Sequence, residues 1–223
     1  MPTRRSILKY AAAALLAAKL GALREALARG ELEKGVHRVR GDARLNGAPA
    51  KERMDVRAGD VVSTGADGEL VFVIARDAML VRANSRVEIE GAAGALVASG
   101  LRILTGAVLS VFVSGEAKRV ITPTATIGIR GTGLYVETLP DRLYACTCYG
   151  VADLQALHDP AARETVQTTH HDQPRYILGP GAAQSIVRAP VINHTDAELI
   201  FLEGLVGREP PFYDWFDKYK TVY

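Results

Sequence analysis

From about Val36 to Val151 the chain is a succession of short apolar runs. Gly, Asp and Asn turn signals separate them at roughly the 8–12 residue spacing of all-β domains. Residues 64–68 (Thr-Gly-Ala-Asp-Gly) read as a turn, and residues 70–74 (Leu-Val-Phe-Val-Ile) as the strand it leads into. That strand is apolar on both faces and therefore central in its sheet. Residues 85–90 (Ser-Arg-Val-Glu-Ile-Glu) alternate, which predicts one wet face. Residues 101–104, 107–113, 120–122, 127–129 and 134–137 continue the series as separate strands, and no helical period competes with them.

The head of the chain has a different character. Residues 3–9 (Thr-Arg-Arg-Ser-Ile-Leu-Lys) resemble a twin-arginine export signal, with Arg4, Arg5, Leu8 and Lys9 as its motif. The apolar run at residues 10–18 ends at Lys19, short of the ~20 residues a bilayer core requires. Residues 1–30 thus read as a signal segment with a small-residue cut site near Ala28, and stable membrane anchoring is not expected. The resemblance implies a bacterial, periplasmic or exported protein that meets the export machinery transiently and crosses already folded, in such systems often with a cofactor in place. The leader also explains the charge. The chain carries 27 Lys and Arg against 25 Asp and Glu, but beyond residue 30 the balance is 21 against 24, a net of −3. No basic run marks a nucleic-acid surface, so a nucleic-acid partner is excluded.

Within the β region an ordered set of motifs stands out. Gly59-Asp60 precedes Thr64-Gly65, and Asn84-Ser85 follows a strand. Gly106-Ala107-Val108 comes next, and then residues 122–132 (Thr-Pro-Thr-Ala-Thr-Ile-Gly-Ile-Arg-Gly-Thr), closing at Gly150-Val151. This order is similar to the FecR-type periplasmic domain over residues 36–155. The resemblance implies a β-solenoid or flattened β-roll, with a sensing or signal-relay role outside the inner membrane and an envelope protein as partner. The best-known members of that family reach a cytoplasmic regulator through a membrane helix, where this chain has a signal-like leader. Each motif residue also has an architectural use. Gly131 suits a positive φ that lets Thr132 form a bulge, Pro123 ends a strand, and Asn84-Ser85 serve a turn. Arg130 is expected to tie carbonyls inside the roll.

Cys146 and Cys148 are the two cysteines of the chain. On a strand they share one face with Tyr144, their Cα atoms about 6.7 Å apart, which would strain a direct disulfide. Paired thiolates suit a soft metal when nitrogen ligands arrive from elsewhere. His170-His171-Asp172 supplies candidates, one histidine facing the site and Asp172 orienting it. The candidate metal set is therefore Cys146, Cys148, His170 and His171, for zinc or copper. His158 and His194 read as surface or capping residues, and His37 has no partner in the sequence.

Residues 156–223 form a C-terminal extension. Residues 159–163 read as a polar connection, and residues 176–187 as one more hairpin. Thr195-Asp196-Ala197-Glu198 is a capping box that opens a helix to about Val206, stopped by Gly207. Phe212, Trp215, Phe216 and Tyr219 then make an aromatic stripe on a second short helix, which either packs on the domain or docks a partner. Nucleophile-elbow, phosphate-loop and zincin motifs are absent from the sequence. The overall expectation is a mainly β, non-enzymatic binding or sensing module with a candidate metal site. The alternatives are a redox protein cycling the cysteine pair and a structural interaction module of the envelope.

Overall fold

The computed structural model describes residues 34–213. The signal-segment reading with Arg4, Arg5, Leu8 and Lys9, and the stripe residues Trp215, Phe216 and Tyr219, lie outside the described residues. The described chain is mainly β, and its strands join one open sheet. In order the strands are β1 (Gly35–Arg40), β2 (Ala43–Leu45), β3 (Ala48–Pro49), β4 (Val61–Thr64), β5 (Glu69–Ile74), β6 (Asp77–Val81) and β7 (Arg86–Glu90). They continue as β8 (Gly100–Val111), β9 (Ala117–Ile121), β10 (Ala125–Thr138), β11 (Arg142–Ala156), β12 (Arg163–Thr168), β13 (Arg175–Leu178) and β14 (Ile186–Arg188). One helix, α1 (Asp196–Leu205), follows them.

Two of the expected breaks are bends inside longer strands. Residues 101–104 and 107–113 belong largely to β8, and residues 127–129 and 134–137 both belong to β10. Glycine makes this arrangement affordable, since Gly106 and Gly131 sit at φ +79° and +60°, where other residues are strained. At each glycine the strand changes neighbour. β8 pairs with β7 before Gly106 and with β6 after it, while β10 leaves β9 for β8 across Gly131. Thr132 bridges the resulting gap by donating from Oγ1 to the Val151 carbonyl at 2.8 Å and accepting from the Val151 N–H at 3.2 Å. Arg130 reaches Asp153 across the strand pair at 2.8 Å, so it forms an exposed ion pair rather than tying carbonyls.

The sheet buries apolar side chains on both faces. β5 shows this residue by residue: Leu70, Phe72 and Ile74 join the inner core, while Val71 and Val73 point to the outer face. Leu80, Leu109, Val111, Tyr135 and Tyr144 share that outer face, and Leu199 and Leu202 of α1, with Val206 just after it, cover it. The helix starts on the expected capping box, with Thr195 N–H donating to Glu198 Oε2 at 3.0 Å and Glu198 N–H to Thr195 Oγ1 at 3.4 Å. It ends with Gly207 at φ +67°, where the Arg208 N–H reaches the Glu203 carbonyl at 2.9 Å and the Gly207 N–H reaches that of Gly204 at 3.2 Å. These paired bonds satisfy carbonyls that a helix end otherwise leaves open. β13 and β14 form the expected hairpin. The polar connection lies at residues 159–162 as expected, and β12, which follows it, was not foreseen. It is an outlying strand whose inward residues are Val166 and Thr168, too little apolar patterning to mark it in the sequence.

Candidate metal centre

β11 carries the centre on its outer face. Leu143 and Ala145 face the inner core, while Tyr144, Cys146 and Cys148 face outward, as alternation requires. A bulge then interrupts the strand, because Leu134 of β10 pairs with Thr147 while the preceding Gly133 pairs with Tyr149. Cys148 is the extra residue, and beyond it Ala152, Leu154 and Ala156 return to the inner core with their phase reversed. The bulge therefore keeps Cys148 and Tyr149 on the outer side together, with the Tyr149 ring lying against Gly133, where a Cβ would collide with it. Both thiols are free and fully buried.

Two histidines close on this pair. His171 follows β12 and is held to the strand by its own N–H, which donates to the Cys148 carbonyl at 2.9 Å. Its Nε2 meets Asp196 Oδ1 at 2.9 Å, which leaves Nδ1 pointing inward, 3.6 Å from Cys146 Sγ. His194 lies just before the helix N-cap. Its Nδ1 meets the Ile192 carbonyl at 2.7 Å, its ring stacks on Tyr135 at 4.7 Å, and its Nε2 points at His171 Nδ1 from 2.9 Å. One ligand atom from each of Cys146, Cys148, His171 and His194 lies within 4.8 Å of all the others. In a tetrahedral centre with bonds of ~2.3 Å to sulfur and ~2.0 Å to nitrogen, sulfur and nitrogen ligands stand about 3.6 Å apart. The Cys146–His171 separation matches that edge. The outer hydrogen bonds of both imidazoles turn the remaining nitrogens inward, His171 Nδ1 toward Cys146 Sγ and His194 Nε2 toward His171 Nδ1, and outer partners of this kind orient metal-binding histidines.

The electrostatics favour a cation. The Cys148 thiol as hydrogen-bond partner, against the opposing effect of burial and with the help of His171 and His194, brings the Cys146 thiol down to about 4. Cys148 is pushed up by burial first, and then by its hydrogen-bonding neighbour Cys146. For His171 burial pulls downward, but Cys146 and Asp196 outweigh it and hold the imidazole above its usual range. Burial raises the Tyr144 phenol, and Cys146 raises it further. Cys146 is thus the more acidic of the two thiols, and His171 Nδ1 stands 3.6 Å from its sulfur.

The other candidates fall around this centre rather than in it. His170 Nε2 lies 2.9 and 3.0 Å from the two Asp196 oxygens, forming with His171 and Asp196 a more open group beside the first. Asp172, expected to orient a histidine, is bonded to Thr168 instead, and Asp196 does the orienting. His194, read as a surface or capping residue, is buried in the centre. Its place directly before the capping box was the usable signal, since that box fixes the local backbone. Phe212 is buried against Tyr149, His170 and His171, with ring centroids 6.0, 4.6 and 6.1 Å away, so its side chain packs inward. His37 packs on Phe201, and His158 lies 3.3 Å from Ser185 Oγ. In a separate place Lys118 and Asp77 form a buried ion pair at 3.1 Å, with Lys118 also reaching Glu116 at 2.8 Å and the Ala98 carbonyl at 2.7 Å. No helix among the described residues is long and apolar enough to cross a membrane.

Comparison with known proteins is sparing. No protein-family model matches the chain. No curated protein matches it either. Among solved structures it is similar to two crystal structures of a putative anti-sigma factor from Parabacteroides distasonis. For the first, the TM-score is 0.48 and the identity 9%, over 65% of this chain and 65% of that one. The second gives a TM-score of 0.47 at 9% identity, over 63% of this chain and 71% of that one. The chain thus spans slightly less than two thirds of the first neighbour's length.

Proposed function

We propose that this protein is an exported, non-enzymatic module of the bacterial envelope that holds one metal ion on Cys146, Cys148, His171 and His194 and serves in binding or sensing. The observation that carries the reading is the convergence of these four ligand atoms within 4.8 Å, from three separate stretches of chain. Two thiolates and two imidazoles in tetrahedral reach suit Zn²⁺ best, with copper the competitor. The 3.6 Å sulfur–nitrogen edge fits a single ion between these ligands. All four ligand positions are taken by protein, and both sulfurs are buried, so substrate has no open position; structural and sensing sites are closed in this way, catalytic ones are not.

Export fits this chemistry. A twin-arginine leader carrying Arg4, Arg5, Leu8 and Lys9 would deliver the domain already folded. The thiolates would then be capped by metal before they meet an oxidising compartment. Residues 36–155 carry the motif order of the FecR-type β-roll, which supports a periplasmic sensing role with an envelope protein as partner. Full burial of both sulfurs disfavours the redox alternative, because thiol exchange requires access. The test is metal content of the protein purified from its native compartment. About one zinc per chain, lost in Cys146→Ser and His194→Ala, supports the reading, and a metal-free protein with two titratable thiols refutes it. Arg4→Lys/Arg5→Lys should leave the protein in the cytoplasm, and undiminished export would refute the leader assignment.

A further inference from the structure

We propose that the metal acts as a latch for the C-terminal strap, residues 189–213, so that metal occupancy controls whether the outer face of the sheet is covered; this rests on the metal reading above. Three of the four ligands belong to the sheet side. Cys146 and Cys148 lie on β11, and His171 is pinned to that strand by its N–H bond to the Cys148 carbonyl at 2.9 Å. His194 alone comes from the strap. A metal bond to its Nε2 therefore cross-links strap and sheet. Asp196, two residues on, adds a second tie at the same point through His170 and His171.

The rest of the strap docks through side chains rather than through strand pairing. Beyond β14 the described chain pairs with no further strand. Its other polar ties are scattered along its length: the Ala189 N–H donates to the Pro174 carbonyl at 3.0 Å, Tyr144 Oη donates to the Pro190 carbonyl at 3.0 Å and accepts from the Ile192 N–H at 3.2 Å, and Asn193 donates to Glu137 at 2.9 Å. Arg82 reaches the Asn193 carbonyl at 3.1 Å and Glu198 at 2.8 Å, Tyr149 Oη donates to Glu203, and Arg208 donates to the Arg76 carbonyl at 2.6 Å. A ten-residue helix is too short to persist in water by itself, so α1 exists because it is docked. Phe212, at the far end, packs back on His170 and His171, which places both ends of the strap on the metal centre. Beneath it lie Val71, Val73, Leu80, Leu109 and Val111, at 1% exposure or less. A cation that binds four ligands with the strap docked, and three with it undocked, must bias that equilibrium toward the covered state.

The experiment is hydrogen exchange on the full chain, zinc-loaded and chelator-stripped, with metal content measured in both. The latch predicts that α1 amides exchange about 10-fold or more faster after stripping, while β5 and β6 amides hold their protection. His194→Ala, which spares the ligands on the sheet side, should show the stripped pattern even with zinc present. Unchanged α1 protection between verified loaded and stripped states overturns the latch and leaves the metal site standing. Equal loss of protection in α1 and in β5 and β6 also overturns it, because the metal would then hold the whole fold. Failure to take up zinc at all removes both the latch and the site.

Discussion

Replacing Asp196 by alanine isolates the contribution of orientation to metal binding. The carboxylate meets His171 Nε2 at 2.9 Å and His170 Nε2 at 2.9 and 3.0 Å, and touches neither sulfur in any hydrogen bond. Its loss frees the His171 ring to turn and removes a negative charge one imidazole away from the ion. Outer partners of metal-binding histidines are worth about 10–100-fold in affinity, or about 1.4–2.7 kcal/mol. Asp196 also begins α1, where a negative charge contributes about 0.3–1 kcal/mol to the helix. The metal-free protein should therefore lose less than 1 kcal/mol or so, and the loaded protein about 2–3 kcal/mol. Competition with a chromophoric chelator reads the affinity, and thermal unfolding with and without zinc reads the two stabilities. Asp172→Ala is the control, because that carboxylate is bonded to Thr168. A zinc affinity within twofold of the parent in Asp196→Ala, or an equal fall in Asp172→Ala, would refute the orienting role.

Four further outcomes follow from the structure. Stripping the metal should lower Tm in a manner that depends on free zinc, since an ion at 1,000 times its Kd adds about 4 kcal/mol to the folded state; a Tm independent of zinc would contradict this. Lys118→Met leaves Asp77 buried without its cation and should cost about 3 kcal/mol, or about 6–12 °C in Tm, with much of it recovered in Asp77→Asn/Lys118→Met. The same lysine sets a pH dependence: burial pushes it down, yet Glu116 and Asp77 hold it above 10.5. Its stabilisation is complete below that value and lost as pH rises through the folded one, so Lys118→Met should flatten alkaline unfolding curves. Gly150→Ala should cost about 2 kcal/mol or more in denaturant unfolding, because φ is +90° and a Cβ would overlap the Gly131 carbonyl and Thr132; a cost under 0.5 kcal/mol would contradict the bulge account.

How far the sequence could be read depends on whether the governing rule is local. Strand alternation is local, and it correctly placed Tyr144, Cys146 and Cys148 on one face and β5 in the middle of the sheet. Capping is local too, and Thr195-Asp196-Ala197-Glu198 marked the start of α1. The positive φ and bulge at Gly131 were legible, but the change of strand partner at Gly106 and Gly131 was not. A glycine that ends a strand and one that bends it toward a new neighbour look alike until the neighbour is known. The centre divides in the same way. His171 was a candidate as one of two adjacent histidines, whereas His194 reaches the centre through the docking of α1, and its only local sign was its place directly before the capping box. Asp196 was legible as a helix-starting residue, and its second use on His171 was not. The same limit hid the Cys148 bulge, which depends on the register with Gly133.

X-ray absorption at the metal edge of the zinc-loaded protein tests the central claim most directly. The geometry predicts two sulfur ligands at ~2.3 Å and two imidazole nitrogens at ~2.0 Å, with one sulfur lost in Cys146→Ser and one nitrogen lost in His194→Ala. A shell of oxygen and nitrogen alone, unchanged in either variant, would place the ion elsewhere on the protein and contradict the account.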